Sequence, residues 1–125
     1  MDTQDFIKQL DHVQELMQNE NYTKAISIIE KLKKIESQGD FDYNLTHRLY
    51  QLDSNAHSLF NQQKILEFIT DLSVSNDSIS FQKLNQLLKQ RSKIILSDDI
   101  IQREIELLIL RNLISCKIEG DKLIF

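Results

Sequence analysis

Three histidines, one cysteine, a pair of adjacent aspartates and one run of bases are the side chains in this 125-residue sequence that could carry chemistry. His12, His47 and His57 are the natural metal candidates. None is read as standing three or four residues from another His, Cys or suitable paired ligand, the spacing at which one helix face presents two such ligands. Solvated or half-buried histidines are therefore expected, and no metal. Asp98-Asp99 could act as an acid/base or cation-binding pair, but at the start of a helix they read as a cap and a complement to its dipole. Cys116 alternates with Ile114 and Ile118, which reads as the inward side of a strand and a buried structural thiol. Nowhere do a nucleophile, a base and an orienting group stand at mutually supporting positions, so neither catalytic residues nor an enzymatic activity is expected. With two glycines in all, there is no material for a Gly-rich phosphate loop, and no cofactor is expected.

The bases Lys83, Lys89, Arg91 and Lys93 form the one acid-free basic cluster, a candidate phosphate contact. Against nucleic acid stands the whole-chain charge, 19 acids to 15 bases, a net −4. The helix expected over residues 98–112 carries Asp98, Asp99, Glu104 and Glu106 against Arg103 and Arg111, which opposes entry into a DNA groove. Protein binding therefore ranks above nucleic-acid binding. A single cysteine excludes an internal disulfide and fits a reducing compartment. The start, MDTQDFIKQL, has acids where a secretory signal has bases, and no stretch approaches the ~18 continuous apolar residues of a membrane span. An intracellular location, cytoplasmic or nuclear, is expected, with no membrane partner.

The elements that must position these groups are mostly helical. Pro is absent, which together with the low Gly count nearly excludes a chain of many tight turns. Phe6, Leu10, Val13 and Met17 recur at helical spacing and predict an amphipathic helix over about 3–19. Asn21 is placed to cap a second helix, over about 22–36, with Ala25, Ile28, Ile29, Leu32 and Ile35 as its stripe. Lys31, Lys33 and Lys34 near its end suit the helix dipole, and Gly39 offers a left-handed cap. A third helix starts near Asp42; Leu45, Leu49, Leu52, Ala56 and Leu59 form a narrow seam on it. A fourth, either continuous with the third or separate from it, carries Ile65, Leu66, Ile69 and Leu72.

Ile79-Ser80-Phe81 predicts a very short strand, with Ser80 capping a helix that bears Leu84, Leu87 and Leu88. A connection over residues 91–97 holds three residues of buried type. Ser97 or Asp98 then caps the helix 98–112, which Leu107 and Leu110 make apolar nearly all round. Residues 113–118 and 122–125 flank Glu119-Gly120-Asp121 as a β-hairpin.

The segments Ile79–Leu88 and Ile101–Glu119 resemble the end of a PCI module, the family of the proteasome lid, the signalosome and translation-initiation scaffolds. Ile105, Leu108, Ile109, Leu113, Ile114, Lys117 and Ile118 fall on its apolar and wing positions. Asn112 stands where the family often has Gly and Glu119 where it often has Asp. Asn21–Ile26 is also similar to the turn of a tetratricopeptide-like helix pair. The fold class expected is mainly α: an N-terminal helical bundle, residues 1–61, made of a tetratricopeptide-like helix pair and a connecting helix, leading into a winged helix with a small β-hairpin, residues 62–125. The resemblance implies a structural subunit that binds other protein subunits, with self-association also open. Leu107, Leu110, Arg111, Lys117, Glu119 and Lys122 are its expected partner-binding residues. The rivals are a nucleic-acid-binding winged helix and a helical-repeat adaptor with its groove in residues 3–60.

Overall fold

The computed structural model describes residues 1–92 and 95–125, which divide into two compact units, Met1–Phe60 and Asn61–Phe125. The chain is mainly helical, with an N-terminal helical region and a small C-terminal three-stranded sheet.

In the first unit, α1 (Thr3–Gln18) begins at Asp2, whose carboxylate accepts from the Asp5 N–H at 2.8 Å. Its spacing buries Phe6, Leu10, Val13 and Leu16 on one side. The helix ends in a Schellman motif: Glu20 takes φ +60°, its N–H donates to the Met17 carbonyl, and the Asn21 N–H donates to that of Leu16. Asn21 then caps α2 (Tyr22–Gln38), which buries Tyr22, Ala25, Ile29 and Leu32. The helix runs past the three lysines, so its last turn holds no base, contrary to the dipole reading of Lys31, Lys33 and Lys34. Gly39 also departs from expectation. Its backbone is extended, φ −117° and ψ 178°, not left-handed. The glycine is needed for space instead, because a Cβ there would stand 2.6 Å from the Phe41 ring, which stacks on Phe6 at 4.4 Å.

Helix α3 (Tyr43–Ser73) is one continuous element where the spacing left one helix or two open. Leu49 and Ala56 join the buried cluster of the first unit, with Leu45 and Leu52 packed against it. Arg48 ties α3 to α1 by bonds to Asp11 at 2.7 Å and Gln14 at 2.9 Å.

The second unit takes Ile65 and Ile69 from the rest of α3. After it come β1 (Ser78–Ser80), α4 (Phe81–Ser92), α5 (Asp98–Leu110), β2 (Lys117–Glu119) and β3 (Lys122–Ile124). The sheet is antiparallel in the order β1-β3-β2, so the last strand is the central one. Gly120, at φ +59°, takes the first place of the two-residue loop joining β2 to β3, where a type II′ turn requires positive φ. The hairpin is shorter than expected, since residues 113–116 form no strand. Leu123 of β3 is buried among Ile79, Phe81, Leu84, Leu88, Ile101, Ile105 and Leu108. Ser80 caps α4 through the Lys83 N–H, and Ser97 caps α5 through that of Ile100. Of the apolar residues in the 91–97 connection, Ile94 lies outside the described residues, Ile95 is exposed and Leu96 packs against the core.

Candidate functional site

Helix α5 presents its buried side, Ile101, Ile105 and Leu108, to the core of the second unit. It ends in a second Schellman motif: Asn112 stands at φ +58°, its N–H donates to the Ile109 carbonyl, and the Leu113 N–H donates to that of Leu108. This reversal carries the chain back toward β2 and leaves an open groove of about 630 Å³ between the end of α5 and that strand. Ile109, Leu110, Cys116 and Ile118 supply its apolar lining, and Glu106, Lys117 and Glu119 its charge. Leu110 is 76% exposed, so the nearly all-round apolar helix leaves part of its surface uncovered. In the sheet, β2 is an edge strand.

Three of the expected partner-binding residues, Leu110, Lys117 and Glu119, meet in this groove. The other three do not line it. Leu107 is half-buried on α5. Arg111, the C-cap of α5, hydrogen-bonds to the Gln62 side-chain carbonyl. Lys122 belongs to a separate recess of about 410 Å³, shared with Ser78, Ser80 and Lys83. Sequence reasoning overlooked Glu106, Ile109, Cys116 and Ile118 as groove residues; their spacing shows a face, not which part of that face the core leaves open. Cys116 is half-buried at the groove wall, not fully inward, and burial pushes its thiol pKa up.

Lys83, Lys89 and Arg91 are exposed on α4, while Lys93 lies outside the described residues. Lys89 and Arg91 occupy the last turn of α4, where they complement its dipole. Of the acids counted on 98–112, Glu104 is wholly buried and bound to Gln62 and Arg103, so it does not contribute to the outer face of the helix. Asp98 accepts from Asn85 Nδ2 at 2.7 Å.

A second group of chemistry-bearing side chains lies in the first unit. Glu30, Asp53 and His57 bring their ligand atoms within 4.8 Å of one another. Lys33 Nζ stands 3.1 Å from Asp53 Oδ2 and 3.7 Å from Glu30 Oε1, and the hydrogen bond to Asp53 raises its pKa. The sequence did carry a signal here, since Asp53 precedes His57 by four residues. The expectation that no histidine has a suitable paired ligand at helical spacing is therefore corrected at His57, whose carboxylate partner lies one turn earlier on α3. His12 is exposed, and His47 stacks on Tyr43 at 6.0 Å.

Among the described residues, no helix is long and apolar enough to cross a membrane. Compared with protein-family models, curated proteins and solved structures, the chain matches none of them.

Proposed function

We propose that the chain is a non-enzymatic protein-binding module, a subunit that docks onto other protein chains through the groove between α5 and β2. The observation that carries this reading is the exposure of Leu110 beside an apolar groove bordered by the edge of a sheet. An edge strand offers unpaired backbone donors and acceptors to an extended segment, and an adjacent apolar trough takes that segment's side chains. The occupant proposed is therefore an extended stretch of a partner protein added alongside β2. The element order from the end of α3 through β3, with the sheet order β1-β3-β2, supports reading the second unit as a winged helix of the PCI type.

The test is affinity capture with the tagged chain and with Leu110→Asp, followed by identification of the captured chains. A partner bound by the wild type and lost from the variant supports the reading. Partners captured equally by both remove the groove from it.

A second reading, contact with nucleic-acid phosphates, is favoured by the recess in which Lys83 and Lys122 converge with two serines. Neither lysine forms an ion pair among the described residues. Polynucleotide binding that falls steeply with salt, and falls again in Lys83→Glu, would transfer the function to that face.

A further inference from the structure

In the first unit, Asp53 uses its two carboxylate oxygens differently. Oδ2 accepts from Lys33 at 3.1 Å. Oδ1 is buried and accepts no well-aligned hydrogen bond; its neighbour is His57 Nε2 at 3.2 Å, an ion pair when the imidazole is protonated. With the imidazole neutral and Nε2 unprotonated, that oxygen faces a lone pair and no donor, an arrangement a bound cation would satisfy. The separation is itself informative. Two ligands bonded at ~2.0–2.1 Å to a tetrahedral Zn²⁺ stand roughly 3.3 Å apart. Asp53 Oδ1 and His57 Nε2 are spaced as one edge of such a polyhedron. Their four-residue separation on α3 sets them on the same helix face. Glu30, from α2, brings a third oxygen within 4.8 Å, and its side chain is exposed enough to swing inward.

We propose that Glu30, Asp53 Oδ1 and His57 Nε2 form a binding site for a divalent transition cation of the zinc class, with water completing the coordination. One imidazole nitrogen and two carboxylate oxygens suit such an ion better than the all-oxygen shells preferred by Ca²⁺ or Mg²⁺. Lys33 holds the other oxygen of Asp53 at 3.1 Å and pairs with Glu30 Oε1 at 3.7 Å, so Glu30 must leave the lysine to reach the ion. Its ammonium shows that the pocket favours positive charge. It also stands close enough to repel an entering cation, so it sets an upper limit on affinity. With ligands on both α2 and α3, a bound ion would cross-link the two helices and raise the melting temperature.

The experiment is calorimetric titration of the full chain with Zn²⁺, alongside visible absorption of the Co²⁺-loaded protein and thermal melts with and without Zn²⁺. Micromolar, one-to-one binding is expected, with a higher melting temperature and a tetrahedral Co²⁺ spectrum. His57→Ala weakens binding more than about tenfold, since even outer-shell partners of a metal are worth that much. Glu30→Gln, an exposed change that does not challenge folding, weakens it as well, while Lys33→Met tightens it. The proposal is overturned by absence of saturable binding to the wild type, by wild-type affinity in His57→Ala, or by binding that appears only in Lys33→Met. The last result would make the cluster an ion-pair network already satisfied by its own lysine.

Discussion

Glu104, wholly buried on α5, accepts a hydrogen bond at 2.9 Å from the Gln62 side chain of α3, a residue 42 positions earlier in the chain. Gln62 in turn accepts from Arg111, and Glu104 accepts from Arg103 at 2.9 Å. Two polar side chains thus fix the register of two helices beside an otherwise apolar core. Removing one member leaves the other facing a cavity with fewer donors. Gln62→Ala is expected to destabilise the chain by about 1–3 kcal/mol in urea unfolding, the desolvation cost of a buried group that loses a partner. An unchanged midpoint would mean that the bond contributes nothing net.

The central place of β3 makes the C-terminal strand structural. Leu123 pairs with Ile79 on one side and Ile118 on the other, and it is fully buried. Removing residues 122–125 separates β1 from β2, and Leu123→Asp puts a charge into the core with no partner. Both are expected to lower the melting temperature sharply. A truncated chain that melts with the full one would show that the sheet contributes little to the second unit.

Much of this architecture was legible because it rests on local rules. Asn21 and Ser97 cap helices where a short polar side chain precedes an apolar stripe, and Gly120 turns the hairpin where only a positive φ closes a two-residue loop. Other features depend on partners distant in sequence. Gly39 looked like a left-handed cap, yet it is needed because Phe41 folds back against Phe6. Glu104 looked like a surface acid of α5 until Gln62 supplied its bond. Cys116 read as a buried core residue, because alternation in a strand cannot say where the cover of the sheet stops. The cluster of Glu30 with Asp53 and His57 needed the packing of α2 on α3, although two of its three members stood in the sequence four residues apart.

Glu20 is held at φ +60°, a region that costs an L-residue with a side chain about 1–2 kcal/mol. The Schellman hydrogen bonds of the Leu16 and Met17 carbonyls impose it. Glu20→Gly relieves the strain, partly offset by the greater freedom of glycine in the unfolded chain. A net gain of roughly 0.5–1 kcal/mol is expected from chemical denaturation. A loss of stability would point to a role for the Glu20 side chain.

Lys33 has a raised pKa, first because of its hydrogen bond to Asp53 and against the opposing effect of burial. For a cationic group raised on folding, the stabilisation is fully present below the ordinary lysine value of 10.5 and disappears as pH rises through the higher folded value. The stability difference between wild type and Lys33→Met should therefore stay constant through neutral pH and shrink only above the ordinary lysine range. Melts of both proteins across that interval measure it. A difference that fades near neutrality would assign the effect to another group.

Leu110 separates stability from binding. Its side chain is exposed at the end of α5, while Ile105, one and a half turns earlier, is buried. Leu110→Asp places its charge in water and is expected to leave the melting temperature within a degree or two of wild type, as exposed substitutions do. Ile105→Asp buries the same charge and should unfold the second unit. If the groove is where a partner strand lies, the Leu110 variant loses that partner while remaining folded. Lys89→Glu with Arg91→Glu, on α4, retains it. Because the contact is mainly apolar, the wild-type complex should also be nearly insensitive to salt, whereas phosphate contacts weaken steeply as salt rises. Sedimentation of each variant with the captured partner, at low and high salt, decides between the two faces. Binding that survives Leu110→Asp but is lost with the α4 bases would move the interface to the basic side of the molecule.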